Sequence, residues 1–152
     1  MGNNSDSEYM LQALKLAQKA YELDEVPVGA LIVKEGIIIA EGWNVRENTF
    51  DPTAHAEIVA IRKAADILKN WRLQDTVLYV TKEPCIMCCG AIIHARIKKV
   101  VYGCHDEKGG GVMSLYTLLS DQRLNHRTEI VSGVCKEESV ALLKRFFREK
   151  RV

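Results

Sequence analysis

Residues 76–95 read TVLYVTKEPCIMCCGAIIHA, and this stretch sets the architecture. Thr76–Thr81 is apolar and rich in β-formers, which predicts a strand. Pro84 suits the first turn of a helix, predicted to run from about Cys85 to Ala95. Cys85 and Cys88 stand three apart, so they share one face of that helix. A strand that leads straight into a cysteine-bearing helix is one unit of an alternating α/β chain.

The same alternation continues in both directions. Upstream, Ser5 and Glu8 have capping-box spacing. They precede Met10, Leu14, Ala17 and Tyr21, which recur at helical period. Pro27 and Gly29 end that pattern. Gly29–Val33 and Ile37–Glu41 read as two strands joined at Glu35–Gly36 by a hairpin turn. A loop spans Asn44 to Thr53. The next helix buries Ile58, Ile61, Ala65 and Leu68. Downstream, Lys99–Gly103 is a strand, Gly109–Gly111 a loop that lends the chain freedom, and Leu115–Leu119 a short helix. A strand near Thr128–Val131 and a helix from about Glu137 to Arg148 follow, with Val140, Leu143 and Phe147 as the apolar stripe. These elements predict a mixed sheet of five strands with helices on both faces. The strand order is not legible from the pattern.

The 152 residues fit one domain, residues 1–152, and 47% hydrophobic content is enough for a real core. No apolar run is long enough to span a bilayer, and Met1–Glu8 is polar, so a cytoplasmic protein is expected. Its five cysteines are then reduced, and an odd count points some of them toward metal or catalysis. A net charge of +1 gives no global sign of nucleic-acid binding. Any such contact is local. The candidate patch is Lys144–Arg151, which places five basic side chains and one acid around Phe146–Phe147.

His55-Ala56-Glu57 stands about thirty residues before Pro84-Cys85-Ile86-Met87-Cys88. Each motif falls where a helix is expected to begin. Residues two apart in mid-helix point to nearly opposite sides. At a helix mouth the first residue is not yet committed, so His55 and Glu57 can converge on one pocket. The free amides of a helix start also favour thiolates. Two thiolates and an imidazole make three zinc ligands and leave a fourth position for water. Two thiolates also cancel the ion's formal charge, so its water is acidified less than beside three histidines, and a base is needed. Glu57 is the acid placed for that. The alternative is a closed structural site whose fourth ligand comes from Cys89, Cys104, Cys135, His94, His105 or His126. A structural site has no use for Glu57.

The HxE…PCxxC pattern is the known signature of zinc deaminases that act on nucleobases. Further segments carry the likeness: Glu25–Gly29, Asp51–Glu57, Leu78–Thr81, Cys85–Arg96, Val101–Gly103, Asp106 with Lys108 and Gly109, Ser114–Leu115, Leu124–Arg127 and Phe146–Arg148. Together they resemble the bacterial tRNA-specific adenosine deaminases along nearly the whole chain. The resemblance implies a three-layer α/β/α sandwich of the cytidine deaminase-like kind and a homodimer with one zinc ion per subunit. It implies hydrolytic conversion of adenosine to inosine at the wobble position of the tRNA anticodon stem-loop. Glu57 then moves protons between water and the base, Asn44 bonds the base, and the N–H of Ala56 or Cys85 holds the base edge or the attacking oxygen. Asp106 and Lys108 lie against the RNA backbone, while Phe146, Phe147 and Arg148 offer stacking and charge to an unpaired loop. Cys89 and Cys104 depart from the family pattern, with consequences for pocket shape or oxidation sensitivity.

Other features read as ordinary. Gly109–Gly111 lacks the ending of a phosphate loop. Trp43, Trp71 and Tyr79 suit core or rim, and Arg96 and His126 suit structural roles. Three rival functions remain: a deaminase of a free base or nucleoside (guanine, cytosine, cytidine), an inactive RNA-binding module, and an acidic-partner scaffold with structural zinc. Intact Glu57 speaks against the second, and a basic aromatic C-terminal segment has no use in the first.

Overall fold

A computed structural model describes residues 4–150. The chain forms α1 (Asn4–Glu22), β1 (Gly29–Lys34), β2 (Ile37–Trp43), α2 (Arg46–Thr49), α3 (Ala56–Leu68), β3 (Thr76–Lys82), α4 (Ile86–Ala95), β4 (Lys99–Cys104), a 3₁₀ turn (Leu118–Ser120), β5 (Glu129–Val131) and α5 (Lys136–Lys150). The five strands make one sheet in the order β2-β1-β3-β4-β5. β1 pairs antiparallel with β2 and with β3, whereas β3–β4 and β4–β5 are parallel. The mixed sheet expected from the alternation is therefore present.

Strand alternation builds two separate cores. Leu31, Val33, Tyr79 and Val101 face Met10, Ala13 and Leu16 of α1. Ala30, Ile32, Leu78, Val80, Val100 and Tyr102 face Ala56, Ala60 and Ala64 of α3 and Ile92 of α4. Side chains of one strand point to opposite faces in turn, so each strand serves both layers. The result is the three-layer α/β/α sandwich.

The hairpin turn at Glu35–Gly36 has φ of 52° and 77°. A two-residue turn with both residues left-handed matches the twist of the strands it joins. α1 already includes Asn4, one residue ahead of the expected Ser5 cap. A short helix, α2, interrupts the loop expected over residues 44–53, and the helix expected at residues 115–119 is a single 3₁₀ turn.

Gly42 is where α3 presses closest on β2. A Cβ there would lie 2.7 Å from the Ala56 carbonyl oxygen and 2.8 Å from the Ala60 nitrogen. Both atoms are backbone and cannot swing aside. Gly42→Ala is expected to cost about 1–3 kcal/mol, read as a lower urea midpoint at unchanged slope.

The stripe on α5 differs from the expected one. Ser139 and Phe146 are its buried residues, not Phe147. Ser139 sits against Gly103 of β4, where a Cβ would come within 2.6 Å of its Oγ. That close approach rotates α5 so that Phe146 turns inward and Phe147 outward.

Candidate active site

The site lies at the starts of α3 and α4, beside the C-terminal ends of β3 and β4. His55 caps α3 with φ −69° and ψ 156°, and Cys85 caps α4 with φ −78° and ψ 178°. Both are extended residues just ahead of a helix. This is the conformational latitude that lets His55 turn toward the pocket also lined by Glu57, two residues on.

His55 Nδ1 lies 3.6 Å from Sγ of Cys85 and 3.6 Å from Sγ of Cys88. The ligand atoms of the three residues all fall within 4.8 Å of one another. Ideal tetrahedral zinc, with Zn–N near 2.05 Å and Zn–S near 2.3 Å, requires an N···S gap of about 3.6 Å. Donor set and spacing therefore both fit that ion. The protonation pattern agrees. Cys85 is held down to about 4, first by the hydrogen bond from the Cys88 thiol and then by His55, against the opposing effect of burial. Cys88 is pushed up by its bond to Cys85 and by burial, and Cys85 raises His55. Only thiolates ligate a metal, so a cation seated between the two sulfurs would take the place of thiol protons.

Among the described residues, no fourth side chain joins the cluster. The Cys89 thiol points to the Pro84 carbonyl at 3.7 Å and the Cys104 thiol to the Thr81 carbonyl at 3.7 Å. Cys135 approaches the Ser7 carbonyl, His126 Nε2 the Ile97 carbonyl, and His105 Nδ1 the Tyr102 hydroxyl. His94 is exposed on the last turn of α4. Cys89 and Cys104 are buried, and burial pushes Cys89 up to about 12 and Cys104 upward too. Neither is a reactive thiolate.

A pocket of about 350 Å³ opens over the cluster, lined in part by Asn44, His55, Ala56, Glu57 and Cys85. Glu57 is 4% exposed, and burial raises its carboxyl above the usual range. Ala56 and Glu57 open α3, where the first amides have no partner within the helix. Asn44 is fixed: its Nδ2 donates to the Val26 carbonyl and its Oδ1 accepts the Arg46 amide, each at 3.2 Å.

The expected RNA-contact residues divide. Asp106 and Phe147 line the pocket. Lys108 is exposed outside the lining, and so is Arg148. Phe146 corrects the expectation: it is 8% exposed and stacks edge-on against Tyr21 with centroids 5.7 Å apart. It anchors α5 to α1 and offers no free ring, whereas Phe147 is 46% exposed. The basic segment is partly spent within the chain. Arg145 lies over the Tyr21 ring at 4.4 Å and Lys150 pairs with Asp24 at 2.8 Å. Arg151 lies outside the described residues.

Sequence reasoning missed four lining residues, Val26, Val28, Arg46 and Lys82, and one organiser, Glu83. The Glu83 side chain is fully buried. It accepts the amides of Asp106 (3.0 Å), Val112 (3.1 Å), Met113 (2.8 Å) and Ser114 (3.0 Å), and the Ser114 hydroxyl. Burial opposes its charge, yet these donors win and hold it at about 2. It thus pins the 106–114 loop to the start of α4. Gly110 is what admits it, since a Cβ there would meet the carboxylate at 2.3 Å. The glycine run therefore serves close packing: neither Gly110 nor Gly111 has positive φ, and both are buried. An acid beside Pro84, and a glycine run with no phosphate-loop ending, are the signals that point to this pair.

A cytidine deaminase-like sheet, with a three-ligand cluster and a carboxylic acid in one pocket, defines a nucleobase-type deaminase. The model of the MafB19-like deaminase family matches residues 4–151. The chain is 49% identical over 146 residues to the tRNA-specific adenosine deaminase of Bacillus subtilis (strain 168), covering 96% of this chain and 91% of that one. It also superimposes on a structure from work on A-to-I editing by tRNA:A34 deaminases at the wobble position of transfer RNA. That match has a TM-score of 0.86 and 43% identity over 89% of this chain and 98% of the other. A guanine deaminase from Bacillus subtilis matches with TM-score 0.63 and 44% identity over 68% of this chain and 66% of its own. The chain belongs to the MafB19-like deaminase family and groups with the tRNA-specific adenosine deaminases.

Proposed function

We propose that this protein hydrolyses adenosine to inosine at the wobble position of the tRNA anticodon, with one zinc ion per chain held by His55, Cys85 and Cys88. The observation that carries the reading is the three-ligand cluster at two helix mouths, sharing its pocket with buried Glu57. When bound, zinc acts as a Lewis acid that makes a water molecule a better nucleophile. Glu57 accepts the proton of the attacking water and delivers it to N1 of adenine. The same carboxylate then takes the remaining proton from the hydroxyl at C6 and passes it to the amino group, which leaves as ammonia as the C6–N6 bond breaks and the C6 carbonyl forms. Asn44, fixed by Val26 and Arg46, presents its remaining donor and acceptor capacity to the base. The Ala56 N–H, or that of Cys85, holds the base edge or the attacking oxygen.

Phe147 at the pocket rim supports contact with an unpaired loop. Lys108 and Arg148 supply charge farther out. Exposed Ile86, Met113, Leu115 and Tyr116 near the start of α4 support the homodimer. Among the described residues no helix is long and apolar enough to cross a membrane. A cytoplasmic site of action follows from the proposed tRNA substrate.

The test is incubation of the zinc-loaded protein with bulk tRNA, followed by nucleoside analysis. Inosine at the first anticodon position is the expected product. His55→Ala is expected to drop zinc content from one per chain to near zero and to abolish inosine formation, with metal read by elemental analysis. The second reading, deamination of a free purine, is favoured by the likeness to the guanine deaminase. Ammonia release from free guanine, with no inosine in tRNA, would replace the first reading with it.

A further inference from the structure

Lys82 ends β3, and Asp106 follows β4 by two residues. The two strands are parallel, with Lys82 in register with Cys104. Both side chains line the pocket. In open α/β sheets this edge, the carboxyl ends of parallel strands, is where ligands bind. Lys82 Nζ lies 3.2 Å from Asp106 Oδ2, and the two side chains are 28% and 22% exposed.

The Asp106 carboxylate is already engaged by its own chain. Oδ1 accepts the amides of Lys108 and Gly109, each at 3.2 Å, and Oδ2 takes Lys82. Its backbone amide is tied to Glu83 at 3.0 Å. A carboxylate so placed would repel a phosphate if it stood alone. Paired, it has another effect. A lysine has three N–H donors on a flexible stem, and Asp106 occupies one and holds the stem in place. Two donors and the positive charge remain at the pocket mouth. The other cation of the lining, Arg46, is exposed on α2.

We propose that Lys82, held in place by Asp106, receives an RNA phosphate flanking the target nucleoside. This deepens the proposed function and rests on it. A free base or nucleoside carries no phosphate for Lys82 to meet.

The test is the salt dependence of kcat/KM of the zinc-loaded enzyme on an anticodon stem-loop RNA. One phosphate contact to unpaired RNA contributes about 0.7 to the slope of log(kcat/KM) against log[salt]. Lys82→Met is expected to lower kcat/KM several-fold at low salt, chiefly through KM, and to make the slope shallower by about that amount. Lys82→Arg should keep the wild-type slope. Asp106→Asn should cost less on the Lys82→Met background than in the wild type, because the two act as a unit. Zinc content and thermal melting check each variant, and Lys82→Gln replaces Lys82→Met should that protein fail to fold. A neutral variant that deaminates the RNA with an unchanged slope overturns this inference and leaves the proposed function standing. A wild-type enzyme inert on RNA overturns both.

Discussion

Glu57→Gln is expected to lower the rate of inosine formation by about 10²–10⁴-fold while leaving one zinc per chain. Glutamine keeps the shape of the side chain and cannot carry a proton from water to the base. Glu57 sits on the first turn of α3, where burial raises its carboxyl. The partial positive charge of the helix start works the other way. Rate measured beside elemental analysis separates this variant from His55→Ala, in which metal and activity are lost together. A Glu57→Gln enzyme with wild-type turnover would show that the proton moves through another group.

Glu83→Ala is expected to cost about 3–5 kcal/mol of folding stability, because four backbone N–H groups and one hydroxyl lose a buried anionic acceptor. That is a large share of the total for a domain of this size. The melting temperature should fall by about 6–20 °C. A pH signature accompanies it. The folded-state carboxyl is depressed from 4.5 to about 2, so its contribution is fully present above pH 4.5 and lost as pH falls toward 2. The wild type should therefore lose about 3 kcal/mol across that window, at 1.36 kcal/mol per pKa unit. The variant should be flatter there by a similar amount. Equal acid sensitivity in both proteins would deny Glu83 this part. Inosine formation should fall as well, since the 106–114 loop carries Asp106 to the pocket.

The sequence was most readable where one residue type has one good use. His55, Glu57, Cys85 and Cys88 were legible because a histidine, an acid and two thiols at two helix starts have few other joint purposes. The strands were legible to within a residue or two, since short runs of β-formers bounded by turn residues are hard to imitate. Strand order was not, because pairing depends on contacts that no local pattern encodes. Phe146 and Phe147 were ambiguous for a geometric reason. A stripe through Ser139 and Phe146 fits helical period as well as one through Val140 and Phe147, and only the close approach of Ser139 to Gly103 chooses between them. Glu83 was hidden because its partners are mostly backbone amides, which every residue supplies. Lys82 and Arg46 were hidden because an isolated cation looks the same on any surface.

The alanines of α3 bear on retention of the proposed zinc although none of them would hold it. Its two gripping halves hang from separate helices, and the distance between those helices is set a full layer below. Ala60 and Ala64 are wholly buried against the sheet, and Ile92 plays the same part under α4. These side chains are the gauge of the jaws. One added methyl among them would spread the grip.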